Sequence, residues 1–381
     1  MHIAFVSETW PPQINGVALT VRRYAQGLAE RGHQVDVIRP GSDGHENQLE
    51  MVHAKGARIP RYPSLQFGMP QGGSLRKRWS ARRPDAVYIA TEGPLGTSAM
   101  RVANVLDIPT ATGFHTRFDQ YAGYYGVGLF TPLVRSHLLK FHRRGQMTLV
   151  PTRALLKELH SSGVTNARQL RRGVDTGLFA PTRRDPSLRA RWYANDNTPV
   201  MLCVGRVAAE KSLCLALQAW RALQARNPQA RMVVVGDGPQ RAALAAAYPD
   251  AIFTGALHDV ELATHYASAD LFLFPSVTET FGNVVLEAMA SGLPVVAFDR
   301  AAAHEHLING ISGLLVPDTD TRGFITSAFQ LGLDQEIRVA LGANARLAAE
   351  RCAPEYVIKD MESLLKAMLA AHTAPPFQAA S

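Results

Sequence analysis

Two carboxylates stand eight residues apart, Glu279 and Glu287, around Phe281-Gly282-Asn283-Val284, with the apolar run Leu271-Phe-Leu-Phe274 and Pro275 in front of them. This order predicts a strand ending at Phe274, a loop holding Glu279, and a helix opening near Asn283. The first N–H groups of a helix lack intrahelical partners and bind an anion such as a diphosphate. Helical side chains lean toward their own N-terminus, so Glu287 in the second turn reaches the same ligand and can accept hydrogen bonds from its hydroxyls. The spacing alone is equally that of a solvated glutamate pair flanking a helix cap. The preceding strand and the following Ser291-Gly-Leu-Pro-Val-Val-Ala297 favour the ligand site.

A second group of charges follows another predicted strand, in Val204-Gly205-Arg206-Val-Ala-Ala-Glu210-Lys211. Glycine at a strand end lets the backbone approach a phosphate, and Arg206 with Lys211 places two cations where a departing diphosphate gathers charge. Taken alone, an arginine and a lysine after a strand are commonly structural. The next strand exit, Val235-Gly236-Asp237-Gly238-Pro239, has too few glycines and no Lys-Ser/Thr ending for a P-loop. Near the start, Thr9 to Val17 leads into a helix through Asn15-Gly16, and Gly113-Phe114-His115 and Thr91-Glu92-Gly93-Pro94 follow two further strands.

These strings resemble the signature of retaining GT-B glycosyltransferases of family 4. The resemblance runs from about Met1 to Asp318 and is nearest to the branch of bacterial glycolipid mannosyl- and glucosyltransferases and plant-type sulfolipid synthases. It implies that Glu279 lies by the donor sugar, that Glu287 accepts from the ribose hydroxyls, and that the amides from Phe281 to Val284 bind the diphosphate. It further implies catalytic roles for His115, Arg206 and Lys211 and donor binding by Gly16, Gly205, Gly236 and Asp237; beside the resemblance, Glu92 reads as an acceptor-side or loop-shaping residue and Tyr121, in the aromatic run, as an acceptor-side one. The family commonly carries two adjacent glycines where this chain has Asn15-Gly16.

The elements that must position these groups are legible as two α/β halves. At 381 residues the chain is about twice a typical domain, and 46% hydrophobic against 19% charged residues suits two filled cores. Strands are expected at Ile3–Ser7, Gln34–Arg39, Ala86–Ala90, Thr110–Gly113 and Thr148–Pro151. A second set is expected at Pro199–Gly205, Arg231–Gly236, Ala251–Gly255, Leu271–Pro275, Pro294–Phe298 and Gly313–Val316. Helices such as Gly16–Arg31 fill the gaps, giving two doubly wound Rossmann-like domains whose strand ends line a shared crevice. The domains are expected at 1–178 and 179–353. The segment 354–381 supplies a helix that, as in GT-B proteins, crosses back to the first domain.

Three cysteines, Cys203, Cys214 and Cys352, are too few and too scattered for a disulfide framework or a zinc site, which points to a reducing, cytoplasmic compartment. The opening residues read as a strand rather than a secretory signal, and no apolar run of about 18 residues is present to span a membrane. The net charge of +8 suits an anionic membrane, a nucleotide or a nucleic acid without choosing among them. Basic residues gather at Leu75 to Trp79 with Arg82 and Arg83, and at Arg135, Lys140, Arg143 and Arg144. Both read either as solvated faces or, for the second with the aromatic run Phe118 to Tyr125, as a surface for anionic headgroups at the inner face of the cytoplasmic membrane.

The expected activity is transfer of a hexosyl group from a nucleotide sugar, GDP-mannose first and a UDP-sugar such as UDP-glucose second, to a hydroxyl of a glycolipid precursor. The nucleotide sugar is the substrate; no cofactor, metal or nucleic acid is called for, and oligomeric state is left open. The competing readings are transfer to a polysaccharide or lipopolysaccharide, a sugar-nucleotide-binding subunit without activity, and a nucleotide-sugar epimerase.

Overall fold

The computed structural model describes residues 1–13, 15–41, 44–59, 62–115 and 131–374. The chain divides into two compact units, Met1–Arg171 with Glu355–Ser381, and Arg172–Pro354. The first division falls earlier than residue 178. Val174 and Phe179 are buried in the core of the second unit, and the Val174 N–H donates to the Cys352 carbonyl at 2.9 Å.

The first unit contains β1 (His2–Val6), β2 (Gln34–Pro40), β3 (Gly44–Glu46), β4 (Leu49–Ala54), β5 (Gly56–Ile59), β6 (Tyr62–Gly68), β7 (Ala86–Ile89), β8 (Thr110–Gly113), β9 (Met147–Val150) and β10 (Ala167–Gln169). Its main sheet runs β10-β9-β8-β7-β1-β2-β4-β3, parallel except for β3, while β5 and β6 form a separate antiparallel hairpin. The segment from Gly44 to Gly68 was not among the expected strands; its short, polar stretches lack the continuous apolar run that marks the buried strands. The second unit contains β11 (Val200–Val204), β12 (Arg231–Val235), β13 (Ile252–Gly255), β14 (Leu271–Phe274), β15 (Val295–Phe298) and β16 (Gly313–Val316). They form one parallel sheet ordered β13-β12-β11-β14-β15-β16.

Parallel strands covered by helices on both faces are apolar on both faces, and successive side chains alternate between them. In the second unit Leu202, Val233, Phe272 and Val295 enter one core, while Met201, Met232, Leu271 and Val296 enter the other. In the first unit Ile3, Phe5 and Tyr88 face one core, and Ala4, Val6 and Ile89 the opposite one. Strand order reverses direction at β1/β7 in the first sheet and at β11/β14 in the second. Loops leaving such a pair diverge to opposite faces and open a crevice between them.

The helix Pro354–Thr373 belongs to the first unit, where Val357, Ile358, Met361, Leu365 and Met368 join the core beneath the helix Gly16–Glu30. A cluster of charges fixes it laterally. Glu362 accepts from Lys366 at 2.6 Å, from Arg31 at 2.5 Å and lies 3.2 Å from His33 Nε2. Among the described residues no helix is long and apolar enough to cross a membrane.

Lys366, with Arg31 and His33, holds the Glu362 carboxyl down at about 2, from an ordinary 4.5. A depressed carboxyl pKa contributes stability above the unfolded value that is lost as pH falls through the folded one. Glu362→Gln is therefore expected to lower the unfolding free energy at pH 7 by about 1 kcal/mol. Urea titrations should show this deficit shrinking from pH 4.5 toward 2; an equal deficit at all pH values would contradict it.

Candidate active site

In the second unit the β11/β14 reversal places two loops side by side. β11 is a run of apolar residues, Val200-Met-Leu-Cys-Val204, and ends at Gly205, whose φ of +145° turns the chain sharply out of the sheet. Arg206 follows, then a short 3-10 turn, Ala209–Lys211, and the helix Leu213–Arg226. β14 ends at Phe274, and its loop carries Thr278 and Glu279 to the helix Asn283–Ala290. Lys211 Nζ lies 2.5 Å from Glu279 Oε1, with both side chains mostly buried, so the two loops are joined by a charge-assisted hydrogen bond. The Thr278 hydroxyl donates to the Glu210 carbonyl at 3.2 Å and ties the same loops again. Arg206 is 3.4 Å from Glu210, a buried carboxylate that orients the guanidinium.

The loop after β12 completes this rim. The Val207 N–H donates to the Asp237 carbonyl and the Gly205 N–H to the Val235 carbonyl, at 2.9 and 3.0 Å. Gly236 has φ +141°, and a Cβ there would stand 1.8 Å from the Gly205 carbonyl oxygen, so only glycine allows the two loops to approach. Asp237 is exposed, accepts from the Gly238 N–H at 2.7 Å and lies 3.6 Å from Arg241. Glu287 sits one turn inside the helix Asn283–Ala290, and its Oε2 accepts from the Tyr266 hydroxyl at 2.9 Å. Burial, reinforced by the Glu287 charge, pushes the Tyr266 phenol well above its ordinary value, so it remains a donor. Tyr266 escaped the sequence reading because an aromatic residue on an apolar helix face looks like any core residue.

The first unit gathers its groups at the ends of β1, β7 and β8. Asn15 caps the helix Gly16–Glu30, its carboxamide oxygen accepting from the Ala18 N–H at 2.8 Å and its nitrogen donating to Thr9 at 2.6 Å, which places Gly16 at the first helical position. His115, after β8, has Nε2 2.7 Å from the Tyr88 hydroxyl. Gly113 makes room for this pair, since a Cβ there would lie 2.3 Å from both atoms. Glu92, after β7, is buried, with Oε1 3.1 Å from Nε2 of His142. His142 is itself fully buried, and its Nδ1 is 2.8 Å from the Thr112 hydroxyl, which continues to Thr148 at 3.0 Å. Tyr121 and the run Phe118 to Tyr125 lie outside the described residues.

Glu8, after β1, is a second carboxyl beside Glu92; its Oε1 accepts from the Leu95 N–H at 2.9 Å. It escaped the sequence reading, although its position at a strand end, like that of Glu92, is the signal that could have found it. Burial, with a smaller contribution from the Glu92 charge and against the backbone N–H groups of Leu95 and Gly96, pushes Glu8 up from 4.5 to about 7.

Much of the basic surface is engaged within the protein. Arg78 and Arg82 pair with Glu50, Arg83 donates to the carbonyls of Leu106 and Asp107, and Leu75 and Trp79 are core residues. Arg143 donates to the carbonyls of Ser162 and Gly163, and Arg135 to the Ser162 hydroxyl. Of the second cluster, Lys140 and Arg144 are exposed and make no hydrogen bond or ion pair with the described residues.

A family model for Glycosyltransferase Family 4 matches residues 14–178, and one for Glycosyl transferases group 1 matches residues 198–333. A GDP-mannose-dependent alpha-mannosyltransferase of Mycobacterium tuberculosis (strain CDC 1551 / Oshkosh) is 34% identical over 350 residues, covering 90% of this chain and 91% of that protein. An alpha-monoglucosyldiacylglycerol synthase of Acholeplasma laidlawii is 26% identical over 96% of both chains. The solved structure of sucrose-phosphate synthase from Thermosynechococcus elongatus matches with a TM-score of 0.78 at 20% identity, covering 97% of this chain and 99% of that one. The fold is GT-B.

A carboxyl whose folded pKa exceeds its unfolded one binds an extra proton in the folded state between the two values. Stability therefore falls as pH rises from 4.5 to about 7 and stays lower above. Glu8→Gln is expected to flatten this slope and, at pH 8, to exceed the parent in unfolding free energy by about 1–3 kcal/mol. Urea titrations across pH 4.5–8 check it; an unchanged slope would remove Glu8 as its source.

Proposed function

The chain belongs to glycosyltransferase family 4, and on that premise we propose that it transfers a hexosyl group, mannose from GDP-mannose in the first place, to a hydroxyl of a glycolipid precursor with retention at the anomeric carbon. The observation that carries the reading is the Lys211–Glu279 bond of 2.5 Å at the mouth of the β11/β14 crevice, in front of the helix opening at Asn283. It holds a cation at the site of an anionic leaving group and a carboxylate beside the sugar that the group leaves. The mannosyltransferase relative supports the donor and the diacylglycerol glycoside synthase supports the lipid acceptor.

In this reading the diphosphate lies on the amides from Phe281 to Val284, at the positive end of the helix. Glu287, oriented by Tyr266, accepts from two ribose hydroxyls. The bond between the anomeric carbon and the diphosphate oxygen breaks with its electron pair going to the diphosphate, and Arg206 and Lys211 stabilise the charge as it develops. Lys211 exchanges part of its contact with Glu279 for the diphosphate, which leaves the carboxylate beside the developing positive charge on the sugar. The acceptor oxygen forms its bond on the face the diphosphate leaves, and its proton passes to a diphosphate oxygen. No second carboxyl acts as nucleophile, in contrast to retaining glycosidases. The two cations do the electrostatic work without a divalent metal. In the first unit Tyr88 holds His115 and Gly16 opens its helix, while in the second Gly205, Gly236 and Asp237 shape the donor-side loops.

A lipid acceptor puts the reaction at a membrane, which we place on the cytoplasmic face. Exposed Lys140 and Arg144 add attraction to anionic headgroups, worth about 1 kcal/mol each near the surface. Vesicles containing phosphatidylglycerol are expected to sediment the protein, and the Lys140→Gln/Arg144→Gln pair to reduce that binding at least ~10-fold. Equal sedimentation with neutral vesicles would dismiss the electrostatic contribution.

Lys211→Ala is expected to lower kcat by about 10²–10³-fold in protein that still unfolds cooperatively, since the lost interaction matters most when the leaving group is charged. The assay is transfer of labelled mannose from GDP-mannose into a bacterial lipid extract, with the anomeric configuration of the product read by NMR. A loss below ~3-fold would refute the leaving-group role, and an inverted product would refute retention.

A further inference from the structure

The helix Gln335–Glu350 of the second unit packs one side on the core through Leu341, Ala345 and Ala349, and Arg338 fixes that side by donating to the carbonyls of Leu331 and Gly332 at 2.7 and 2.8 Å. A helix packed in this way ordinarily turns polar residues to water. Here the exposed positions between Glu336 and Glu350 are Ile337, Val339, Ala340, Ala343, Asn344 and Leu347. The one polar member is engaged with the protein itself. Asn344 donates to the Ile311 carbonyl at 3.0 Å, which sets the turn bearing Ile308 and Ile311 beside the middle of the helix. Ile308, Ile311, Ile337, Val339 and Leu347 are all between 48% and 66% exposed. Five large apolar side chains on one helix and its adjoining turn exceed the scattered single ones that a surface normally carries.

The charges at the two ends of this face decide what covers it. Glu336 stands in the first turn and Arg351 caps the last; both are exposed, and among the described residues neither has an ion-pair partner. A helix advances about 1.5 Å and about 100° per residue, so Glu336, Ala340, Ala343, Leu347 and Arg351 fall along one stripe about 22 Å long. Opposite charges end the stripe and small residues lie at its middle. We propose that this face is a homodimer interface, in which two copies of the chain pack the helix Gln335–Glu350 antiparallel across a two-fold axis near Ala343 and Asn344. Rotation about that axis makes the stripe complementary to itself. Glu336 meets Arg351 of the second copy at both ends, Ala340 meets Leu347, and the small Ala343 lets the backbones approach where they cross. The five large side chains expose roughly 100 Å² each, so the pair of faces buries on the order of 1,000 Å² in all, which places the dissociation constant in the micromolar range. A membrane suits the face less well, since a lipid-seeking helix rings its apolar residues with Lys and Arg, whereas the exposed charges here are Glu336, Glu350 and Arg351.

The test is sedimentation velocity of the full chain over a concentration series, which is expected to show a reversible monomer–dimer equilibrium. Leu347→Lys is expected to leave monomer alone, and Glu336→Arg to weaken the dimer at least ~10-fold. The double variant Glu336→Arg/Arg351→Glu is expected to recover the parent affinity, because reversing both charges restores the two ion pairs only when the helices run antiparallel. All three side chains are exposed, and urea titration of each variant checks that the fold is kept. A parent that is monomeric throughout the series, a dimer that Leu347→Lys leaves intact, or a double variant no tighter than Glu336→Arg would each overturn the proposal. So would binding to lipid vesicles that Leu347→Lys abolishes while the dimer persists, which would give the face to a membrane. None of these outcomes depends on the proposed transfer reaction.

Discussion

The candidate donor site depends on the reversal of strand order between β11 and β14. At the reversal the chains turn away to opposite faces, so that Gly205 and Phe281 can approach one ligand from two sides. The Lys211–Glu279 bond spans that gap. A salt bridge between exposed side chains contributes little to stability, but this one is mostly buried and joins two loops that share no backbone pairing of their own. Its worth lies in geometry, since it sets where a cation and a carboxylate stand relative to the helix opening at Asn283.

Around that bond the supporting contacts are of a different kind. The loops after β11 and β12 are laced by backbone hydrogen bonds at Gly205 and Val207, and at Gly236 a side chain is excluded by the Gly205 carbonyl oxygen. Glu287 and Glu92 are each held through one oxygen by a buried partner, Tyr266 in one unit and His142 in the other. In both cases a polar side chain is oriented from behind by a residue inside the core. Such preorganisation is what allows a site to stabilise charge without first rearranging its own dipoles.

Much of this was legible in the chain. The continuous apolar runs located the central strands of both sheets to within a residue or two, because strands buried on both faces carry a signal that turns and helices do not imitate. The glycines at 205 and 236 marked two strand exits, and Gly282 marked the opening of the helix Asn283–Ala290. Edge strands were harder. β3, at the edge of the main sheet, and the separate hairpin β5 and β6 are short and partly polar, since an edge strand has one neighbour and often one wet face, and β4 beside β3 mixes polar with apolar residues. Tyr266 and His142 were invisible for another reason: each acts through a residue distant in sequence, and no local spacing announces such a pair. Within the basic clusters, Arg78, Arg82, Arg83 and Arg143 satisfy carboxylates and carbonyls of the protein itself, which clustering alone does not announce.

The return of the helix Pro354–Thr373 to the first unit has a consequence for biosynthesis. The core formed by Ile3, Tyr24 and Tyr88 is closed by Met361 and Leu365, which leave the ribosome only after the whole second unit has been made. At about 5–20 residues per second the first unit waits on the order of ten seconds or more with an apolar face open to solvent. The second unit, continuous in the chain from Arg172 to Pro354, has no such delay and can complete its sheet first. Translation therefore runs from the N-terminus while native structure closes in the reverse order, and the nascent chain is most dependent on chaperones during the interval between Arg171 and the last helix.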